Sequence, residues 1–275
     1  MKVAWGPLGG TGDLPYLYAV QKYRFRLRYF IQLAFFGAAY HGWQRQPNAL
    51  SVQEVLEDCL SKLLKQPVEV VGAGRTDAGV HARMMIAHVE VEHTVQTNDV
   101  VRRLNAFLPS DIAVQDMRAV NPNAHARFDA TSRSYEYWVA PHKNPFYKDT
   151  AHYCKHPLDV GRMNEAAGLL LGHRDFECFS KSHTDVKTFY CDVQEAHWSV
   201  EGDLLVFRIT ADRFLRNMVR AVVGTLLEVG KQTYPPAHVK TILKSKDRSK
   251  AGASVPAKGL YLTSIVYPNT VYFNG

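Results

Sequence analysis

The residues best suited to chemistry in this chain of 275 residues are an arginine and an aspartate two positions apart, Arg75 and Asp77. Both lie in a glycine-rich run, Gly72-Ala73-Gly74-Arg75-Thr76-Asp77-Ala78-Gly79-Val80-His81-Ala82. Glycine lets a backbone approach a ligand closely or adopt positive φ. A carboxylate can act as a nucleophile in covalent catalysis, and a guanidinium binds phosphate well. The run therefore indicates a functional loop.

Strand patterns on both sides predict where this run lies in the fold. The apolar residues 68–71 come before it, and an alternating stretch with Met85, Ala87, Val89 and Val91 on one face comes after it. Alternation of this kind is typical of a half-buried strand. A strand connection of about a dozen residues is much longer than usual and is most often functional or disordered.

The run resembles the signature of the TruA-type tRNA pseudouridine synthases. The resemblance implies that Asp77 is the catalytic carboxylate and that Arg75 is its companion, with His81 part of the substrate-binding set. A second segment, Tyr40-His41-Gly42-Trp43-Gln44-Arg45-Gln46-Pro47, is similar to the YxGWQRQ segment of that family and adds Gln44 and Arg45 to this set. The family usually has an aspartate and a threonine where this chain has Phe36 and Ala38.

Three segments in the second half extend the resemblance. The run Arg133-Ser134-Tyr135-Glu136-Tyr137 resembles the RxYxY motif, whose first tyrosine stacks on the target base, which implies that role for Tyr135. The run from Phe214 to Arg220 resembles FxxxMVR and implies that Arg220 lies close to the catalytic aspartate. The segment Gly259-Leu260-Tyr261-Leu262 resembles GLYL, which implies that Leu260 lines the uracil pocket.

Basic residues point to a polyanionic partner. The chain has a formal net charge of +7 and a pI near 9.2. The spacing of apolar residues predicts a helix over 214–229, with Arg213, Arg216 and Arg220 at steps of three and four on a second face. This face is either simply solvated or binds RNA. We favour RNA, because like charges at these spacings repel and lower helix stability unless an anion is present.

Other functions fit parts of the pattern. The glycines could belong to a dinucleotide-binding fingerprint, but that motif must open a helix, and here a strand pattern follows. An Arg-x-Asp pair in a turn is in most proteins only a solvated ion pair. A non-catalytic RNA-binding module would also use basic residues and stacking aromatic residues. Such a module would gain nothing from a carboxylate that faces phosphates. The presence of Asp77 therefore favours an enzyme over a non-catalytic binding module.

The order of predicted elements gives the fold class. Each half is predicted as βαββαβ, the ferredoxin-like unit. We therefore expect an α+β protein with two ferredoxin-like halves, whose mostly antiparallel sheets join side by side around a central basic cleft. This is the pseudouridine synthase fold that the resemblance implies. The predicted divisions are a poorly ordered N-terminal extension (1–27), an N-terminal domain with the catalytic loop (28–130) and a C-terminal domain (131–275).

Composition narrows the class of protein and the cellular compartment that we expect. Hydrophobic content of 46% and charged content of 21% are ordinary for a globular protein. No apolar run approaches the roughly eighteen residues of a membrane span, so we expect no membrane association. Four widely spaced cysteines and scattered histidines give no zinc pattern, so we expect no metal and a reducing cytoplasm.

The resemblance implies a reaction and a substrate. Uridine becomes pseudouridine when the bond from ribose C1′ to N1 breaks and C1′ joins C5. The atoms are conserved, so we expect no cofactor. The expected substrate is the anticodon arm of tRNA, at positions 38–40, bound by a homodimer. Asp77 is expected to attack either C1′, as carboxylates do in retaining glycosidases, or C6 of the base.

Overall fold

The computed structural model describes residues 27–181 and 186–273. Most of the predicted N-terminal extension, residues 1–27, lies outside the described residues. The described chain forms a sheet of nine strands. They are β1 (Leu27–Phe35), β2 (Val70–Gly72), β3 (His81–Val91), β4 (Ile112–Ala119), β5 (Ser132–Ala140), β6 (His152–Tyr153), β7 (Val193–Glu201), β8 (Leu204–Ala211) and β9 (Leu260–Val266).

Five α-helices accompany these strands within the described residues. They are α1 (Val52–Leu64), α2 (Thr97–Phe107), α3 (Val160–Gly168), α4 (Met218–Gly230) and α5 (His238–Ser245). Two of them start directly after a residue of a type that commonly caps helices. The Ser51 hydroxyl accepts the backbone N–H of Glu54 at 3.2 Å, and the Asp159 carboxylate accepts that of Arg162 at 3.0 Å. Each bond satisfies a donor that the first turn of a helix leaves unpaired.

Strand order confirms the predicted α+β class. The sheet runs β4-β1-β3-β9-β5-β8-β7, with β2 paired to β3 and β6 paired to β5. If the main strands of each half are numbered one to four along the chain, both halves have the order 4-1-3-2. The first half uses β1 to β4, and the second uses β5, β7, β8 and β9. The two ferredoxin-like units therefore share one continuous sheet.

The junction between the halves is a short parallel pairing of β3 and β9. It consists of His81 opposite Tyr261 and Ala82 opposite Leu262. Parallel strands begin at the same edge, so the loop that enters β3, residues 73–80, lies where the two halves meet. Packing also crosses this boundary, because Val80 is buried in the core of the second half and Tyr267 in the core of the first.

The predicted start of the fourth helix was wrong. α4 begins at Met218, so Arg213 and Arg216 lie in the preceding loop and not on a helical face. Asn217 interrupts the helical backbone there, with φ of +67°. The apolar residues whose spacing predicted the helix are all buried: Leu215, Met218, Val219, Val222, Val223 and Leu226. Among the described residues, none of the helices has the length and apolarity needed to cross a membrane.

Candidate active site

The segment from Tyr40 to Trp43 holds the glycine-rich loop in place through backbone hydrogen bonds. The N–H of Trp43 donates to the carbonyl of Thr76 at 3.3 Å, and the N–H of Gly79 donates to the carbonyl of Tyr40 at 3.2 Å. Within the loop, the N–H of Val80 donates to the carbonyl of Asp77 at 3.2 Å. The backbone on both sides of Asp77 is thus fixed by the neighbouring segment.

Two glycines allow this close contact. A Cβ on Gly42 would lie 2.2 Å from the carbonyl oxygen of Thr76, and Gly42 also has φ of +90°. A Cβ on Gly72 would lie 2.4 Å from the indole nitrogen of Trp43. Both distances are far below a van der Waals contact, so glycine is required at both positions. The two motifs of the first half therefore form one packed unit.

Asp77 and Arg220 form an ion pair across the junction of the two halves. Nη1 of Arg220 donates to Oδ2 of Asp77 at 3.0 Å. The Arg220 side chain keeps 21% of its surface exposed, and the Asp77 side chain keeps 32%. Nε of Arg220 donates to the carbonyl of Val255 at 2.7 Å, which fixes the guanidinium. The carboxylate is thus oriented by a charge-assisted bond but remains open to a substrate.

The first turn of α4 carries Arg220, and a neighbouring segment packs tightly against this helix. A Cβ on Gly224 would lie 1.8 Å from the carbonyl oxygen of Ala253. Thr225 fixes the same segment, since its hydroxyl accepts the N–H of Gly252 at 2.9 Å. This close approach brings the Val255 carbonyl within reach of Arg220.

Tyr135 lies close enough to Asp77 to respond to its charge. Burial raises the pKa of Tyr135 to about 12, and the negative charge of Asp77 adds to the increase while Arg133 opposes it. The phenol therefore stays protonated at neutral pH. Its ring meets that of Phe214 edge to face, at 5.1 Å between centroids and 88° between planes. Asp77 and Arg220 are thus in direct contact, and the charge of Asp77 reaches Tyr135.

Known proteins identify the family. A family model described as tRNA pseudouridine synthase matches residues 32–129 and 166–268. The chain belongs to this family. A protein of Parabacteroides distasonis named tRNA pseudouridine synthase A is 50% identical over 248 residues, which are 89% of this chain and 98% of that protein. A Bacteroides thetaiotaomicron protein of the same name is 51% identical over 248 residues, which are 89% of this chain and 92% of that protein.

The predicted family is therefore confirmed. The ranges that match the tRNA pseudouridine synthase family contain Arg75, Asp77, Arg220 and Leu260, whereas Tyr135 lies between them. The site has no group of three or more His, Cys, Asp or Glu side chains that could hold a metal ion, and the same holds for all of residues 27–181 and 186–273.

Arg133 has a structural role that its place in the sequence did not predict. Its guanidinium donates to the carbonyls of Asp212 at 2.7 Å, Ala73 at 3.3 Å and Arg127 at 2.5 Å, and also to that of Ala130 at 3.0 Å. It thus ties the glycine-rich loop to the residue after β8 and to the connection before β5. The signal in the sequence was the arginine of the RxYxY motif itself.

Arg75, predicted as the companion of the catalytic aspartate, and the predicted substrate-binding arginines differ in their surroundings. Arg75 and Arg216 are exposed, and neither pairs with an acidic side chain among the described residues. Arg213 is half-buried in the loop before α4. Arg45 is different, because acidic side chains of α1 hold it: Glu57 at 3.3 Å, Glu54 at 3.4 Å and Asp58 at 3.8 Å. Gln44 is exposed next to it.

His81 and Leu260 lie in the core of this synthase, with exposed fractions of 1% and 6%. Nδ1 of His81 accepts the N–H of Gly37 at 2.9 Å, and Nε2 lies 3.1 Å from the carbonyls of Asp149 and Lys258. Burial lowers the pKa of His81, which favours the neutral ring. Both ring nitrogens are occupied, so His81 anchors the loop and offers no free nitrogen to a substrate.

The departure from the family at Phe36 has a structural consequence here. The Phe36 ring stacks on His81, with centroids 4.3 Å apart and planes at 17°. Tyr261 lies 4.7 Å away on the same imidazole. Two aromatic rings, those of Phe36 and Tyr261, thus pack against the His81 imidazole.

Proposed function

We propose that this chain isomerises uridine to pseudouridine in tRNA, with Asp77 as the catalytic carboxylate. The observation that carries the proposal is the ion pair of Asp77 with Arg220, 3.0 Å long, at the junction of the two halves. A glycine-rich loop presents the carboxylate, and a tyrosine ring lies beside it. Membership of the tRNA pseudouridine synthase family supports the same activity.

The reaction needs no external redox partner. The bond from C1′ to N1 breaks, a bond from C1′ to C5 forms, C5 loses its proton and N1 gains one. A carboxylate beside C1′ can stabilise oxocarbenium character or form a covalent adduct, as in retaining glycosidases. Attack at C6 of the base is the other route. In either route, Arg220 orients Asp77 through a charge-assisted bond.

The target base has to leave the helical stack before Asp77 can reach its sugar. Tyr135 would stack on the extruded uracil, and a protonated phenol there adds no negative charge beside Asp77. Arg75 is exposed and pairs with no acidic group among the described residues, so it can enter the vacated place and contact phosphate.

The remaining predicted site residues would bind the RNA substrate. Arg213 and Arg216 lie in the loop before α4 and would contact phosphates, and Gln44 and Arg45 would do so from the first half. Leu260 would support the uracil pocket from the core. We assign the substrate to the anticodon arm, at positions 38–40, bound by a homodimer in the cytoplasm.

The test uses unmodified tRNA transcript with wild-type protein and with Asp77→Asn, which keeps the shape of the side chain and removes its charge. Pseudouridine is mapped by carbodiimide treatment and primer extension. We expect the variant to lose at least about 10³-fold in rate, as variants of a catalytic nucleophile commonly do. Equal product from both proteins would remove Asp77 from the mechanism. Binding without product in the wild type would favour a non-catalytic RNA-binding module.

A further inference from the structure

Phe128 is an exposed aromatic residue in the connection between the two halves, with 74% of its surface accessible. An aromatic ring in this position loses the benefit of burial unless something covers it. The ring nevertheless contacts two side chains of the same turn. The His125 imidazole lies 4.3 Å away at 36°, and the Arg127 guanidinium lies 5.7 Å from the ring centroid.

The turn that presents Phe128 is organised by its own hydrogen bonds. Nδ1 of His125 accepts the N–H of Arg127 at 3.1 Å and that of Phe128 at 3.4 Å. Oδ2 of Asp129 accepts the N–H of His125 at 2.8 Å. Burial, with a contribution from the charge of Arg28, lowers the pKa of His125, which keeps Nδ1 free to accept at neutral pH. Little conformational freedom is left for a ligand to remove, which favours binding.

The same turn is fastened to the glycine-rich loop. The Arg133 guanidinium donates to the carbonyl of Arg127 at 2.5 Å and to the carbonyl of Ala73 at 3.3 Å. Ala73 begins the loop that carries Asp77. Phe128 and Arg127 therefore hold a fixed position relative to the catalytic carboxylate, on the side of the loop where β2 ends.

We propose that Phe128 is a stacking surface for a nucleobase of the RNA substrate that flanks the target uridine, with Arg127 on the adjoining phosphate. This inference rests on the proposed function. Base-on-aromatic stacking beside a basic side chain is the usual way in which proteins hold unpaired nucleotides. Charge supports a nucleic acid as the occupant, because the turn exposes a guanidinium next to the ring and the chain carries a net charge of +7.

The test compares Phe128→Ala, Phe128→Tyr and Phe146→Ala by filter binding of unmodified tRNA at one salt concentration. Phe146 is the matched control, an aromatic residue that is 89% exposed in another loop. Loss of one stacked base corresponds to an increase in Kd of about five- to a hundredfold for Phe128→Ala. Phe128→Tyr keeps a flat ring and should stay within about threefold of wild type, as should Phe146→Ala.

Several results would overturn the proposal. One is an unchanged Kd for Phe128→Ala, and another is an equal loss of binding in Phe128→Tyr. A third is a change of oligomeric state in Phe128→Ala with unchanged Kd, since this would make a second copy of the chain the occupant. All variants are also measured in an Asp77→Asn background, where no product forms. Failure of wild-type protein to make pseudouridine would refute the proposed function, whereas the Kd comparison alone decides the role of Phe128.

Discussion

Gly42 and Thr76 are in direct backbone contact, and a Cβ on Gly42 would lie 2.2 Å from the Thr76 carbonyl oxygen. We therefore predict that Gly42→Ala displaces the loop that carries Asp77. A displacement of about 1 Å can cost about a hundredfold in rate. We expect a loss of this order in kcat/KM for pseudouridine formation, together with about 1–3 kcal/mol of stability from overpacking and the positive φ.

Gly168→Ala is the control for this prediction. Gly168 ends α3, and a Cβ there would meet no atom within 4 Å. Alanine has the higher helix propensity, so this variant should be at least as stable as wild type and equally active. If Gly42→Ala behaves in the same way as Gly168→Ala, the two motifs do not form the packed unit described above.

Arg220 makes two bonds in different directions, one to Asp77 and one to the Val255 carbonyl. A lysine ammonium is a point donor and cannot keep both directions at the same geometry. We predict that Arg220→Lys lowers the single-turnover rate by about tenfold to a hundredfold and that Arg220→Ala lowers it further, since an uncompensated carboxylate is then left in the site. Quench-flow assays with excess enzyme measure this step directly.

An exposed pair supplies the control for Arg220. Arg102 donates to Asp99 on the surface of α2 at 2.5 Å, with 75% and 45% of the two side chains exposed. Exposed pairs of this kind contribute little to stability. Arg102→Ala should leave both the rate and the melting temperature almost unchanged. A similar rate for Arg220→Ala and wild type would contradict the orienting role of Arg220.

Substitution of Arg133 tests how much the bonds between the glycine-rich loop and the second half contribute to stability. Removal of its guanidinium leaves four carbonyl oxygens without their donor, those of Ala73, Arg127, Ala130 and Asp212. Of these four residues only Ala73 is buried, and a buried acceptor without a partner costs about 1–3 kcal/mol. We predict that Arg133→Ala loses about 1–3 kcal/mol in urea unfolding, and that Arg133→Lys recovers only part of this loss. A loss below about 1 kcal/mol in Arg133→Ala would show that water replaces these bonds.

Local patterns were enough to predict the framework of this site. Alternating apolar residues predicted β3 after the loop. Ser51 is a residue type that commonly caps helices, and α1 starts directly after it. Such patterns report burial and hydrogen bonding within one segment, so they succeed when neighbouring residues decide the structure.

The errors have a different physical origin. Arg213 and Arg216 have helical spacing relative to Arg220. The left-handed backbone of Asn217 nevertheless interrupts the helix at that point, so α4 begins only at Met218. Arg133 satisfies carbonyls from distant segments, and no spacing in the sequence encodes such bonds. His81 belongs to the motif run, yet it anchors the loop from the core. A motif identifies residues that a site needs and does not say which of them face the substrate.

His88 gives the protein a stability that depends on pH. It is buried, with 6% of its surface exposed, and its Nδ1 accepts the N–H of Ala126 at 3.1 Å. Burial, with the charges of Arg28 and His125, lowers the pKa of His88 from 6.5 to about 4. The unfolded chain therefore binds a proton at a higher pH than the folded chain does. Stability is complete above about pH 6.5 and falls as the pH drops towards 4, by about 3 kcal/mol in total.

Urea unfolding at pH 7.5, 6 and 5 measures this loss in wild-type protein and in His88→Gln. Glutamine can accept the Ala126 N–H but cannot take up a proton in this range. Burial also lowers the pKa values of His81 and His152, so part of the pH dependence should remain in the variant. We expect the free energy of unfolding to fall less steeply with decreasing pH in His88→Gln than in wild type. Parallel curves would mean that His88 has the same proton affinity in the folded and unfolded states.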